Sequence, residues 1–227
     1  MASDLEFDNL AEEQKKVFWD LIDTFNTKGL LTYLMLIGSW AELIYDKYYF
    51  PNYSSSIRTR DVDFFYKNIN VPAKNTFDIV SILKEKGFTC ETDRLSDVSK
   101  FVMEDFLTIE FLVRVLGSGD KPDQKIPSLG IVGSGIRDIN MLERYPLDLE
   151  CGEYTIAVPE PEAYILQKLI INPNRKKQDK KEKDLQSIRC LLPHVDKVRL
   201  RDIFDKLTDR QRITINEVCE TNFIDLW

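Results

Sequence analysis

The chain has 227 residues, of which 43% are hydrophobic and 30% charged, a composition typical of a globular protein with a buried core. Its net charge of −7 argues against a nucleic-acid surface that spans the chain, because binding to phosphate backbones needs many clustered cations. No apolar run approaches the roughly 20 residues of a membrane span and the N-terminus lacks the pattern of a signal peptide, so we expect a cytoplasmic protein with no membrane partner.

Helices and strands are predicted to alternate over the first part of the chain. The apolar pattern indicates a helix over residues 9–29, and the nearly continuous apolar run over residues 30–37 predicts a strand buried on both faces. Gly38 and Ser39 follow as a turn of small residues. A second helix is predicted over residues 40–49.

The strand that follows carries two carboxylates on one face. Side chains alternate along a strand, so Asp61 and Asp63 point the same way while Val62 and Phe64 point into the core. Two adjacent carboxylates repel each other unless a cation or a proton joins them, and hard oxygen ligands of this kind suit Mg²⁺. Exposed strands often carry acids, so Asp61 and Asp63 alone are weak evidence for a functional site. Their position after a turn of small residues and a helix strengthens that interpretation.

The next segments predict one helix and three strands. The helix follows Pro72, has its apolar positions within residues 77–83 and stops at Gly87, and the strands cover residues 88–94, 99–103 and 106–115. The last two strands are expected to form a hairpin around residues 104–105. These segments would supply much of a small mixed sheet.

One acid of the last strand stands among apolar neighbours. Glu110 is costly to bury there unless it is paired or coordinated. Metal coordination is one interpretation, and an ion pair with Arg114 or another base is the alternative. Glu104 and Asp105 are the fallback acids, although their position suits a turn.

The remaining chain changes from loop to helix. Residues 117–135 are rich in Gly, Ser and Pro, and we interpret them as a long loop around a short extended piece that serves as a linker or a mobile flap. A strand is predicted over residues 154–158, and helical spacing begins at Pro159. Residues 175–183, the basic run, hold six bases and two acids, a net charge of +4, and such runs are usually solvated faces. Four scattered cysteines and the single histidine, His194, poorly support a structural zinc site, a disulfide scaffold or Cys/His catalysis.

The order of a Gly-Ser turn, a helix and Asp-x-Asp on a strand resembles the polymerase-beta-like nucleotidyltransferase superfamily. The pieces in this chain are Gly38, Ser39, Asp61 and Asp63, and the 21 residues between Ser39 and Asp61 make a longer spacer than is typical of the superfamily. Within the superfamily, the chain is similar to a bacterial group whose substrates are largely unassigned. The segments that carry this similarity are residues 38–40, 57–64, 158–163, 167–169 and 183–185.

The resemblance implies a fold and a reaction. The expected fold is an α/β nucleotidyltransferase domain over residues 1–158, a small mixed sheet flanked by helices, followed by a helical C-terminal region over residues 159–227. The expected reaction is Mg²⁺-dependent transfer of a nucleoside monophosphate from a nucleoside triphosphate to an acceptor hydroxyl, with release of pyrophosphate. The acceptor could be a small molecule, RNA or a protein, and the preferred nucleotide and the oligomeric state stay open.

The resemblance also implies site residues. Asp61, Asp63 and Glu110 would hold two Mg²⁺ ions that activate the attacking oxygen and stabilise the departing one. Gly38 and Ser39, at a helix N-terminus, would bind phosphate through backbone N–H groups and the hydroxyl. The basic residues expected to contact phosphate are Arg58, Arg60, which would lie on the opposite strand face, and Lys168.

Two other classes of function stay open at this point. One is a catalytically silent protein that binds a nucleotide or a partner, such as one half of a toxin–antitoxin-like pair. The other is a nucleic-acid-binding module that uses the basic run, for which binding would depend steeply on salt.

Overall fold

The protein has a mixed α/β fold, as the sequence predicts. The computed structural model describes residues 2–55, 59–67, 69, 74–115, 123–137 and 139–227, with side chains from residue 12 onward. The helices are α1 (Ala2–Thr27), α2 (Ser39–Tyr48), α3 (Ile79–Glu85), α4 (Asn140–Arg144), α5 (Pro161–Ile171), α6 (Gln178–Leu191), α7 (Lys197–Asp205) and α8 (Asp209–Thr221). The strands are β1 (Leu34–Ile37), β2 (Asp61–Tyr66), β3 (Thr89–Thr92), β4 (Ser99–Met103), β5 (Leu107–Arg114), β6 (Gln124–Ile126), β7 (Ile131–Ile136), β8 (Pro146–Cys151) and β9 (Tyr154–Pro159).

The chain divides into two compact units. The first unit contains Met1–Trp40, Thr59–Arg137 and Asp148–Ala157, and the second contains Ala41–Arg58, Asp138–Leu147 and Val158–Trp227. The sequence predicts one boundary, between residues 158 and 159. The second unit also takes in two earlier segments, and the domain limits themselves stay a prediction.

The first unit contains a seven-stranded mixed sheet with β5 at its centre. The main strand order is β1-β2-β5-β4-β3, with β7 also paired to β5 and β6 paired to β7. The β2–β5 and β5–β7 pairs are parallel, and the other pairs are antiparallel. Residues of β2 and β5 that are partners in register therefore present their side chains on the same face of the sheet.

Helix α1 covers the apolar face of this sheet. Its Phe25 ring lies 5.4 Å from Phe64 of β2 and 6.4 Å from Phe111 of β5, measured between ring centroids. Val62 and Ile109, on the same two strands, are completely buried. Each such side chain contributes about 1.5–3 kcal/mol by leaving water, so alternation along β2 and β5 fixes which residues remain on the opposite, polar face.

Several predicted segments differ from the structure. Helix α1 begins at Ala2, before the predicted start at residue 9. The expected strand over residues 30–37 is a strand only over Leu34–Ile37, because Leu31–Tyr33 form a 3₁₀ turn after the end of α1. The interpretation of residues 117–135 as a linker or flap is wrong for residues 124–126 and 131–135, which belong to β6 and β7. Residues 117–122 lie outside the described part of the chain.

Close packing explains the small residues of β7. A Cβ atom on Gly133 would lie 2.9 Å from Cδ1 of Ile126 and 3.0 Å from the carbonyl oxygen of Phe111. A larger residue would therefore push β7 away from its neighbours. Here the glycine marks a close strand contact, whereas the sequence pattern suggests a loop.

The second unit is built around α5, which is buried along nearly its whole length. Helix α5 begins at Pro161 and not at Pro159, because Pro159 ends β9, and it packs against α4, α6, α7 and α8. Across the described ranges, no helix is long and apolar enough to cross a membrane.

Candidate active site

The Gly38 turn lies against Asp63. Gly38 follows β1 with a φ of +71°, a conformation that favours glycine. A Cβ atom at this position would lie 2.7 Å from Oδ2 of Asp63. Because β1 and β2 are antiparallel neighbours with Ile37 opposite Asp63, the turn is placed directly beside this carboxylate.

Three carboxylates share the polar face of the sheet. Asp61 and Asp63 alternate with the buried Val62, and Asp63 is the parallel-strand partner of Glu110. Asp61 is exposed, whereas Asp63 and Glu110 are half-buried. Neighbouring strands lie about 4.8 Å apart, so the carboxylates of Asp63 and Glu110 are close enough to influence each other.

Lys100 pairs with the third carboxylate. It is the antiparallel partner of Glu110 from β4, and its Nζ lies 2.5 Å from Oε1 of Glu110. The hydrogen bond to Glu110 raises the pKa of Lys100, and the negative charges of Asp61 and Asp63 add to the effect. The ion pair left open for Glu110 is therefore made with Lys100.

The register of the β4–β5 hairpin differs from the predicted one. The predicted strands over residues 99–103 and 106–115, joined by a turn at residues 104–105, would place residue 100 opposite residue 109. In the structure the turn holds residues 104–106, so Lys100 lies opposite Glu110. A shift of one residue moves every side chain to the other face of the strand, so the predicted turn did not reveal this pair.

The residues before β2 are fastened to the start of α2. The hydroxyl oxygens of Ser39 and Thr59 lie 2.7 Å apart, and the indole N–H of Trp40 donates to the carbonyl oxygen of Thr59 over 3.1 Å. Trp40 is in turn stacked on Phe18 at 4.4 Å between ring centroids. Thr59 therefore positions the entry to β2, a role that its sequence context did not predict.

The predicted basic residues are placed differently from one another. Arg58 lies outside the described residues. Arg60 is exposed, and its Nη1 lies 3.6 Å from a carboxylate oxygen of Asp105. Lys168 belongs to the second unit, where its Nζ lies 3.0 Å from Asp184 and 3.8 Å from Glu42. Phosphate contacts by these three residues stay predictions.

Glu42 is the centre of a buried polar cluster in the second unit. Its carboxylate is 1% exposed and accepts hydrogen bonds from the hydroxyls of Tyr53 at 2.9 Å, Tyr164 at 2.7 Å and Ser187. Burial, and then the charge of Glu42, raises the pKa of Tyr53 and of Tyr164, so both hydroxyls remain donors. An acid among apolar neighbours in α2 is the signal that could have indicated this cluster.

The carboxylate face has the right chemistry for a divalent cation. Asp61 and Asp63 offer hard oxygen ligands, which suit Mg²⁺. Within the part of the chain that the structure describes, no group of three or more acidic, His or Cys side chains is already arranged as a metal site. The third carboxylate, that of Glu110, is ion-paired with Lys100.

Comparisons with known proteins agree with this geometry. A family model described as nucleotidyltransferase matches residues 17–210, so the chain belongs to the nucleotidyltransferase family. An antigenic nucleotidyltransferase-like protein from Paracoccidioides brasiliensis has a similar structure, with a TM-score of 0.53 and 12% identity over 92% of this chain and 88% of that one. The antibiotic-resistance factor ANT(2'')-Ia is similar with a TM-score of 0.50 and 9% identity over 93% and 96% of the two chains. No curated protein matches the sequence.

These findings confirm the predicted superfamily, the α/β nucleotidyltransferase fold and the enzyme class. At such low identities the two solved structures support the fold alone.

Gly38→Ala is expected to reduce transfer far more than stability. The new Cβ would displace the Asp63 carboxylate, and a misplacement of about 1 Å at a reacting centre costs roughly a hundredfold in rate. The positive φ would add about 1–2 kcal/mol of destabilisation. Transfer rates and thermal melting of the purified variant would measure the two effects.

Gly152→Ala is the matched control for this substitution. Gly152 has a φ of +69°, and nothing lies within 4 Å of its Cβ position. The Gly152→Ala variant should therefore lose a similar amount of stability through its positive φ and keep its transfer activity. If Gly38→Ala and Gly152→Ala were equally active, the close approach of Gly38 to Asp63 would not be needed for transfer.

Proposed function

We propose that the protein transfers a nucleoside monophosphate from a nucleoside triphosphate to a hydroxyl group of an acceptor. The observation that carries the proposal is the position of Gly38 against Asp63 on a sheet face that also presents Asp61 and Glu110. Membership of the nucleotidyltransferase family supports the reaction class. The acceptor oxygen would form a bond to the α-phosphorus as the bond from that phosphorus to the β-phosphate oxygen breaks, and pyrophosphate would leave.

Each group of side chains has a proposed task. Asp61 and Asp63, with Glu110, would hold two Mg²⁺ ions, which when bound supply positive charge to the attacking and departing oxygens. Gly38 leaves space beside Asp63, and the N–H groups at the start of α2 can donate to phosphate oxygens. The Thr59 hydroxyl donates to the carbonyl oxygen of Asp61, so the Ser39 hydroxyl donates to Thr59 and would exchange this partner in order to donate to phosphate.

The functional test is labelling of the acceptor. The purified protein would be incubated with Mg²⁺, a cell extract and each nucleoside triphosphate in turn, labelled at the α-phosphate. Label should pass to one class of molecule and should be absent with Asp63→Asn. Label that stays in the triphosphate under all these conditions would favour a catalytically silent binding protein.

The basic run tests the nucleic-acid alternative. Lys176, Lys177 and Lys180 are exposed, whereas Lys168 is 13% exposed and ion-paired. We expect reversal of Lys176, Lys177, Lys180 and Lys181 to Glu to leave triphosphate and RNA affinity within about twofold, because exposed charges are screened by salt. Affinity would be measured by titration of labelled triphosphate and a generic RNA.

Lys168→Ala is the comparison variant in the same titration. A loss of triphosphate affinity confined to Lys168→Ala would support phosphate binding by this residue. Melting curves must accompany it, because the change also leaves Asp184 with one cation fewer. A loss confined to the four-fold reversal would instead favour a polyanion site on the basic run.

A further inference from the structure

Lys100 is a cation on the carboxylate face of the sheet. Its Nζ contacts Glu110, while Asp63 is the neighbour of Glu110 on the other side. With Asp61, these four side chains carry three negative charges and one positive charge. The face therefore has an internal countercharge that already neutralises one carboxylate.

The same ion pair conflicts with metal binding by Glu110. An oxygen that lies 2.5 Å from an ammonium nitrogen cannot also coordinate Mg²⁺ without bringing two cations into contact. The second oxygen of Glu110 could still coordinate, but the ammonium charge beside it makes this less favourable, so Glu110 joins Asp61 and Asp63 at a metal more readily once Lys100 moves away. The Lys100 side chain is 46% exposed on a flexible stem, so it is free to rotate toward solvent or toward a new anion.

A triphosphate provides that anion. When its phosphates lie over the polar face, they bring several negative charges to the side of the sheet where Lys100 emerges. The ammonium group can then exchange a carboxylate partner for a phosphate partner and keep its charge neutralised. The released Glu110 carboxylate becomes available to a cation at the same step.

We propose that Lys100 is a positioning residue that couples metal binding at Glu110 to the arrival of the triphosphate. The inference rests on the proposed function, because it takes the carboxylate face as the metal and triphosphate site. Without the triphosphate, Lys100 holds Glu110 and weakens metal binding. With the triphosphate, Lys100 contacts phosphate and Glu110 contacts the metal.

A purely structural role predicts something else. A half-exposed cross-strand ion pair stabilises the contact between β4 and β5 only slightly. Its loss would lower the melting temperature a little and leave metal affinity unchanged. Metal affinity therefore separates the two roles, and catalytic activity is not needed for the test.

The experiment measures Mn²⁺ affinity by calorimetric titration, with and without a non-hydrolysable triphosphate analogue. Without the analogue, Lys100→Met should bind Mn²⁺ about tenfold more tightly than the wild type, since one nearby positive charge is removed. With the analogue, the wild type should gain much more affinity than Lys100→Met. Lys100→Arg, which keeps the charge, should behave as the wild type does.

Lys84→Met is the matched charge control. Lys84 is an exposed residue of α3 in the same unit, so its loss changes the net charge equally. It should leave Mn²⁺ affinity unchanged. Melting curves for every variant would show that each one is folded.

Two outcomes overturn the inference in different ways. Equal Mn²⁺ affinity of the wild type and Lys100→Met, together with weaker binding by Asp63→Asn, would overturn the coupling alone. Unchanged Mn²⁺ affinity in Asp63→Asn would overturn the proposed metal site and the coupling with it.

Discussion

Asp61→Asn and Asp63→Asn are each expected to abolish nucleotide transfer while the protein stays folded. Loss of a residue that hydrogen-bonds a metal ligand usually lowers metal affinity or activity by about 10–100-fold. Loss of a direct ligand should therefore lower the transfer rate by more than about a hundredfold. Each change also removes one of the like charges on the polar face. The melting temperature measured without metal should therefore hold or rise slightly.

Transfer rates with Mg²⁺ and thermal melting would be measured together for these variants. Asp148→Asn is the control, because Asp148 is an exposed acid of β8 in the same unit. It should keep full activity. Near-full Mg²⁺-dependent activity in either Asp61→Asn or Asp63→Asn would exclude that residue as a metal ligand.

Glu42→Ala is expected to cause the largest loss of stability. The change would leave the hydroxyls of Tyr53, Tyr164 and Ser187 in a buried site without their acceptor, and Lys168 without one of its two acids. Removal of one member of a buried charged network typically costs about 3–5 kcal/mol. Urea denaturation would give the free energy of unfolding, and Glu42→Gln should lose less because its amide oxygen still accepts hydrogen bonds.

Glu217→Ala controls for the removal of a glutamate from a helix of the same unit. Glu217 is exposed on α8, so the free energy of unfolding should change by less than about 0.5 kcal/mol. A similar small change in Glu42→Ala would show that the Glu42 cluster adds nothing to stability.

Strong local patterns made much of the first unit predictable. Alternation of acidic and apolar residues fixes the faces of β2, and the hydrophobic effect then puts Val62 and Phe64 in the core. The same alternation puts Asp61 and Asp63 together. The parallel partnership of Asp63 and Glu110 joins distant segments, and only the resemblance to a known fold pointed to it before the structure did.

Other features could not be read locally. Gly133 looks like part of a loop in sequence, because nothing nearby reveals that Ile126 and the backbone of Phe111 press against it. The partners of Glu42 lie 11 to 145 residues away along the chain. Such contacts exist only once the chain has folded, and sequence periodicity carries no information about them.

The contacts of Thr59 bear on how relatives of this chain can be recognised by sequence searches. Because Ser39 and Trp40 hold Thr59 directly and β1 pairs with β2, the position of the acids does not depend on the number of residues between the end of α2 and Thr59. Insertions or deletions there can be accommodated without moving Asp61 as long as Tyr53 keeps its contact with Glu42. A search pattern with a fixed number of residues between the equivalents of Gly38 and Asp61 would miss chains with a different spacer. A pattern with a variable gap, and with a threonine at the position of Thr59, would find them.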